Sequence, residues 1–212
     1  SERAGQEVHQ LVAEGLAAHG RRAVAEGAHP IDRSGRSVQE DICLIERVDG
    51  TWVLTAGSVC FPTRWDIGDK IGKSLVEIHA PVPGYAGQLG AAVDRFFDRM
   101  AIGASSWRLN WSIVDDPGRR LAAGHRQAPV LAPADLGREL HLRLERQTLR
   151  RLVDHTAVVF ASRVHSWPLH VVAVRLPAAA CAAHLASMPA EIARYKNLEG
   201  IREPLIEWLR SR

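Results

Sequence analysis

The sequence predicts an α+β fold, a five-stranded antiparallel sheet with helices on one side and further helices flanking it at both ends. Three observations carry the prediction. Asp49-Gly50 joins two short apolar runs rich in Val, Ile, Cys and Trp, a strong signal for a two-residue hairpin. Residues 106–114 and 140–145 alternate apolar and polar side chains, and 157–164 is a third short apolar run. Segments of helical period lie before, between and after these strands. Strands gathered in two blocks, with helices between and around them, bury their apolar faces as an α+β layer structure.

The elements follow in order. Val8, Leu11, Val12 and Leu16 share one helical face, so an amphipathic helix is expected over 7–18, and the polar stretch 20–35 around Pro30 reads as a connection. Strands over 42–46 and 52–61 form the hairpin. A mostly helical stretch over 66–78 places Ile67, Ile71 and Leu75 on one face, and 88–100 is a clearer helix on Leu89, Val93, Phe96, Phe97 and Met100. In 106–114, Trp107, Leu109, Trp111 and Ile113 face one way and Arg108, Asn110 and Ser112 the other, as in a central strand with one polar face. The Gly/Ala/Pro-rich stretch 117–133 reads as a long loop. Strands follow over 140–145 and 157–164, the last ended by Trp167-Pro168 or continued over 169–176. Helices resume over 178–187, 190–196 and 203–210. The expected organisation is an N-terminal helix and connector (1–35), a sheet domain (36–176) and a C-terminal helical extension (177–212). The element order matches the PAS fold, in which a sheet and its intervening helices enclose a small-molecule pocket. A PAS-like five-stranded antiparallel sheet implies a pocket and leaves function open.

Composition narrows the function classes. With 46% hydrophobic residues in 212, the chain can bury a real core, and disorder is excluded. Lys and Arg exceed Asp and Glu by only three charges, which does not indicate nucleic-acid binding by the whole chain. Cys43, Cys60 and Cys181 form no CxxC pair, which points to a reducing, cytoplasmic compartment and free, mostly buried thiols. No apolar run is long enough to span a bilayer, so no membrane is expected. A glycine fingerprint for dinucleotides and a cysteine cluster for iron–sulfur are both absent.

The stretch 60–85 reads CFPTRWDIGDKIGKSLVEIHAPVPGY. Pro81 and Pro83 fix φ and lack N–H groups, so the chain cannot continue after His79 as a helix or enter a sheet interior. His79 therefore sits at the mouth of a stiff loop. An imidazole held there suits a metal or cofactor ligand, or it closes a Pro-rich turn over the core.

Six segments add a resemblance: VQEDICLI (38–45), VCFPTRW (59–65), KIGKSLVEIHAPVPGY (70–85), VDRFF (93–97), RLNWSI (108–113) and LRLERQTLRRL (142–152). In this order they resemble the heme-dependent oxidative N-demethylase family over roughly 38–169. The resemblance implies a PAS-fold subunit holding heme b. It also implies use of O2, with electrons from NAD(P)H-linked flavin or iron–sulfur reductase subunits, to demethylate a small secondary amine such as dimethylamine. A hetero-oligomer is implied, and the basic surface is expected to help dock those partners. His165 and Ser166 stand where relatives more often carry a Thr-Tyr-like pair.

On that reading His79 is the expected axial ligand of the iron, with His141, His165 and the Cys60 thiolate as competitors. Cys60 reads rather as a buried structural cysteine. Arg146 and Arg150 are the expected propionate contacts, although Arg143 and Glu145 share one strand face and Arg146 falls on the other. A cationic amine calls for a carboxylate or an aromatic face, and Glu145, Trp111 and Tyr85 supply these. Trp111 is also a candidate cofactor contact, with core packing as the alternative, and Asn110 a candidate ligand contact from a buried polar face. Glu40 and Asp41 are expected instead to cap the turn before the first strand. Two other function classes stay open on the sequence: a non-catalytic heme sensor or carrier, and a PAS-like module binding another small ligand without heme.

Overall fold

A computed structural model describes residues 1–118, 120–124 and 136–212, so most of the long loop expected over 117–133 lies outside the described residues. Helices α1 (Glu2–Ala17) and α2 (Pro30–Ser37) precede the hairpin β1 (Asp41–Val48) and β2 (Thr51–Ser58). After α3 (Leu75–Ile78), a π-helical turn (Tyr85–Leu89) leads into α4 (Gly90–Arg99) and β3 (Ser105–Val114). Then come α5 (Leu136–Glu139), β4 (His141–Arg151), β5 (Ala157–Pro168), α6 (Leu169–Ala173), α7 (Ala178–Ser187), α8 (Ala190–Tyr195) and α9 (Arg202–Arg210). The five strands form one antiparallel sheet in the order β2-β1-β5-β4-β3.

The hairpin closes as expected. Val48 pairs with Thr51, and both turn residues have positive φ (Asp49 48°, Gly50 80°), the backbone a two-residue turn of the primed type needs. Three expectations about individual elements are corrected. The connection 20–35 contains the start of α2, because Pro30 at its first turn costs no hydrogen bond and His29 Nδ1 accepts from the Ile31 amide at 3.2 Å. The helix expected over 66–78 shrinks to α3: Gly72 is left-handed (φ 80°), and the backbone there bonds to Leu54 of β2 rather than to its own preceding turn. Residues 169–173 form a helix instead of extending β5, with Pro168 as its N-cap and the Leu169 amide bonded to Leu140 O at 2.8 Å.

Helices cover both faces of the sheet rather than one. Cys43 and Ile45 of β1, Leu54 of β2 and Leu149 of β4 pack under the middle segment against Leu75, Ile78, Val93 and Phe97. Ile42 and Leu44 point the other way and are buried by Ala4, Val8 and Ile31 of α1 and α2. At the far end of the sheet, Ile113 of β3 and Leu142 of β4 join a third cluster with α5 to α9, including Leu136, Leu169, Leu205 and Trp208. The strand carrying Asn110 is the sheet edge, whereas β4 is interior. No helix among the described residues is long and apolar enough to cross a membrane.

Candidate functional site

The middle segment delivers His79. Ser74 and Glu77 form a reciprocal capping box that fixes the single turn of α3, and His79 is its C-cap. The Val82 amide bonds back to His79 O at 2.8 Å, and Gly84 (φ 72°) turns the chain into the π-helical turn. Buried Tyr85 then stacks on the imidazole, with ring centroids 4.4 Å apart and planes 11° from parallel. A carbonyl can only accept, so His79 Nδ1–H donates to Leu75 O at 2.8 Å. That bond fixes the tautomer and leaves the Nε2 lone pair without a hydrogen-bond partner among the described residues. Burial holds the imidazole below the ordinary histidine range; the Leu75 bond opposes this, and the charges of Arg108 and Lys70 add to it. At neutral pH, His79 is an oriented, uncharged imidazole.

Across from it, β3 and β4 present a polar floor set by their register. Asn110 pairs with Glu145, Arg108 with Gln147 and Ser112 with Arg143, so all six share one face. Glu145 is held from every side. Thr63 donates to Oε1 at 2.6 Å, Gln147 and Asn110 donate to Oε2 at 2.9 and 3.2 Å, and Arg143 Nε lies 3.5 Å from Oε1. Arg108 Nε donates to Gln147 Oε1 at 2.8 Å. Arg143, with a fully buried side chain, also grips Thr63 Oγ1 (2.9 Å) and Phe61 O (2.6 Å), tying residues 61–63 to the sheet. Asp41 accepts from the Cys60 and Phe61 amides at 2.6 and 3.0 Å and so holds the same segment from the β1 side.

A family model described as haem-dependent oxidative N-demethylase, alpha subunit-like, matches residues 3–206. The chain belongs to this family.

A heme group asks the protein for an axial ligand, cations for its carboxylates and an apolar sleeve. His79 offers a ligand nitrogen in the right protonation state. Arg108 and Lys70 are close enough to depress its pKa, and Leu75, Ile78, Val93, Leu149 and Phe160 form an apolar cluster beside it. No group of three or more His, Cys, Asp or Glu side chains gathers among the described residues. A heme held through one histidine would not need such a group. The donor chemistry of His79, with cations and apolar side chains near it, is of the kind such a group needs.

The sequence-predicted residues divide between the two faces. His79 and Tyr85 stack on each other, and Glu145 and Asn110 lie on the sheet face that the middle segment packs against, although Asn110 is exposed on the edge strand rather than buried in a central one. Trp111, Arg146 and Arg150 lie on the opposite face, away from His79. Trp111 packs against the C-terminal helical cluster, with Lys196 Nζ 4.4 Å from its ring centroid. Arg146 lies over Trp107 at 5.8 Å, and Arg150 reaches Ser105 Oγ at 3.4 Å.

Among the competing ligands, His165 also faces the second side, stacked on Trp167 at 5.3 Å, and His141 stands at the far end of β4. Cys60 is exposed, not buried, because the chain leaves the sheet there; Cys43 is the buried thiol, pushed up to about 12 by burial and by Asp41. Of the expected caps, Asp41 bonds across to residues 60–61, and Glu40 pairs with Arg163 at 3.1 Å.

Sequence reasoning missed Thr63, Arg108, Gln147, Tyr195 and Lys196. Strand parity alone puts Arg108 and Gln147 on the Glu145 face. Tyr195 and Lys196, at the end of α8, had no such signal. Burial and then Glu145 raise the Tyr195 hydroxyl above the usual tyrosine range, while burial lowers Lys196 against the pull of Glu145.

Proposed function

We propose that this chain is the heme b-binding subunit of an oxidative N-demethylase, acting on a small secondary amine such as dimethylamine with O2 and reductase-supplied electrons. The observation that carries the reading is the His79 imidazole, locked by Leu75 O with Nε2 left to ligate. The heme, when bound, supplies the oxygen chemistry. The chain's own residues do the rest. Tyr85 fixes the imidazole plane. Arg108 and Lys70, the cations on the His79 side, would pair with the heme carboxylates in place of Arg146 and Arg150. Glu145, its oxygens engaged by Thr63, Asn110 and Gln147 and its charge paired with Arg143, would order the polar floor beneath the amine rather than bond to it directly. The Tyr195 hydroxyl, protonated at neutral pH, would accept a hydrogen bond from an amine N–H or donate one through its own O–H. We further propose that the sheet with its middle helical segment is PAS-like, that the subunit works in a hetero-oligomer with flavin or iron–sulfur partners, and that it is cytoplasmic.

The test is an absorption spectrum of the protein reconstituted with hemin, before and after dithionite and then with dimethylamine. The expected result is a Soret band that moves on reduction and again with the amine, and that collapses to free hemin in His79→Ala. An unchanged band and spin state in His79→Ala would remove the ligand assignment. Retained heme with no amine-dependent O2 consumption in the presence of a competent electron donor would favour a heme sensor or carrier.

A further inference from the structure

The second face of the sheet is uncovered at its centre. Between the α1–α2 layer and the C-terminal cluster, none of the side chains that interior strands β4 and β5 point this way over residues 144–150 and 161–167 is buried. Trp107 is 63% exposed, Leu109 55% and Trp167 37%. Antiparallel sheets can leave one face in water, but large exposed aromatics on such a face mark a contact surface. The strip is also charged in one sense. Among the described residues, Arg146, Arg150 and Arg163 stand on it, and the Glu40 carboxylate beside them is already held by Arg163 at 3.1 Å. Arg150 Nε is buried without a hydrogen-bond partner among the described residues. Arg146, laid over Trp107, keeps the in-plane edge of its guanidinium for a carboxylate.

We propose that this strip is the docking surface for an acidic protein partner, with Trp107 and Trp167 as apolar anchors and Arg146 and Arg163 pairing with partner carboxylates. Trp and Arg together are the residue types that dominate binding energy at protein interfaces. A second copy of the chain fits poorly, since two cationic strips would face each other across a two-fold axis. For a single-stranded nucleic acid only one face of each indole is left for a base, because Arg146 covers the other face of Trp107 and His165 that of Trp167. The proposal rests on the strip and not on heme, so its failure leaves the His79 reading standing.

The test titrates the full chain with an acidic Glu/Tyr copolymer, with oligo-dT in parallel, following indole fluorescence and hydrogen exchange of β3 and β4; sedimentation velocity measures self-association. Expected are protection confined to this face and binding that weakens with salt. Affinity should drop about tenfold in Arg146→Glu, with recovery in Arg146→Lys, and stay unchanged in Arg21→Glu/Arg22→Glu, a charge reversal at an exposed site elsewhere. Equal binding by Arg146→Glu, tighter binding of oligo-dT, or self-association abolished by Arg146→Glu would each overturn the proposal. Unchanged far-UV dichroism and hemin spectra in the variants separate lost docking from lost folding.

Discussion

Arg143 shows how a single side chain fixes the site. Its charge is buried, its guanidinium reaches Phe61 O, Thr63 and Glu145, and burial lowers its pKa while Glu145 and Asp41 hold it charged. Replacing it with Met removes one partner of a buried pair and leaves Phe61 O without this donor, so Arg143→Met should cost about 3 kcal/mol in urea unfolding. Residues 60–65 should then exchange amide hydrogens faster, and a loss below about 0.5 kcal/mol would show that the pair is not holding the segment. His79 gives a prediction in pH. Its folded-state pKa is depressed, so the unfolded chain takes up the proton first as pH falls. Stability should therefore be highest above the ordinary imidazole value and decline through the window between that value and the lower one of the folded state. In His79→Gln that part of the decline should disappear from urea midpoints measured across the window.

At the scale of elements, helix α1 is tied to the β4–β5 turn by one carboxylate. Glu7 accepts from the Val153 and Asp154 amides at 2.5 and 3.2 Å and from His155 Nδ1 at 2.8 Å. Burial raises its pKa, but the His155 bond and the two amides outweigh that and leave it below the ordinary glutamate value. A depressed carboxylate contributes stability that is full above the unfolded value and lost as pH falls through the folded one. Glu7→Gln should thus lower stability by about 1–2 kcal/mol at pH 7 and by much less in acid. Equal effects at both ends, read from urea midpoints, would sink the clasp. Such long-range clasps are what sequence periodicity cannot show. The hairpin was legible because Asp49-Gly50 is a local signal, and strands β3 to β5 because alternation is local too. Helix α3 was over-read because Ile67, Ile71 and Leu75 keep a helical period while the backbone of 72–74 bonds to β2. Around the candidate site, the place of His79 at the mouth of a proline-stiffened loop was legible, and so was the shared face of Arg143 and Glu145. Whether Arg108 or Arg146 faces His79 depended on which side the middle segment covers, and only the tertiary packing settles that.

For the whole molecule, the helical ends are not appendages to a self-sufficient sheet. The α1–α2 layer buries Ile42, Leu44 and Leu152, while the C-terminal helices bury Ile113, Leu136, Leu140 and Leu169 from 36–176. Exposing seven large apolar side chains, at about 1.5–3 kcal/mol each when complete, costs on the order of 10 kcal/mol, comparable to the entire stability of a domain of this size. The segment 36–176 alone should therefore fail to form a native sheet: it should bind a hydrophobic dye, lose near-UV dichroism and aggregate. The full chain should unfold in one step. Trp52 reports the cluster under the middle segment and Trp208 the C-terminal cluster, so variants keeping one or the other as the dominant indole probe give two local readouts. Coincident urea midpoints from the two, matching far-UV dichroism, mean that the sheet and both helical layers are one cooperative unit. An earlier midpoint at Trp208 would make the C-terminal helices a separable unit, and Tyr195 and Lys196 would then reach the Glu145 floor only when that unit is docked.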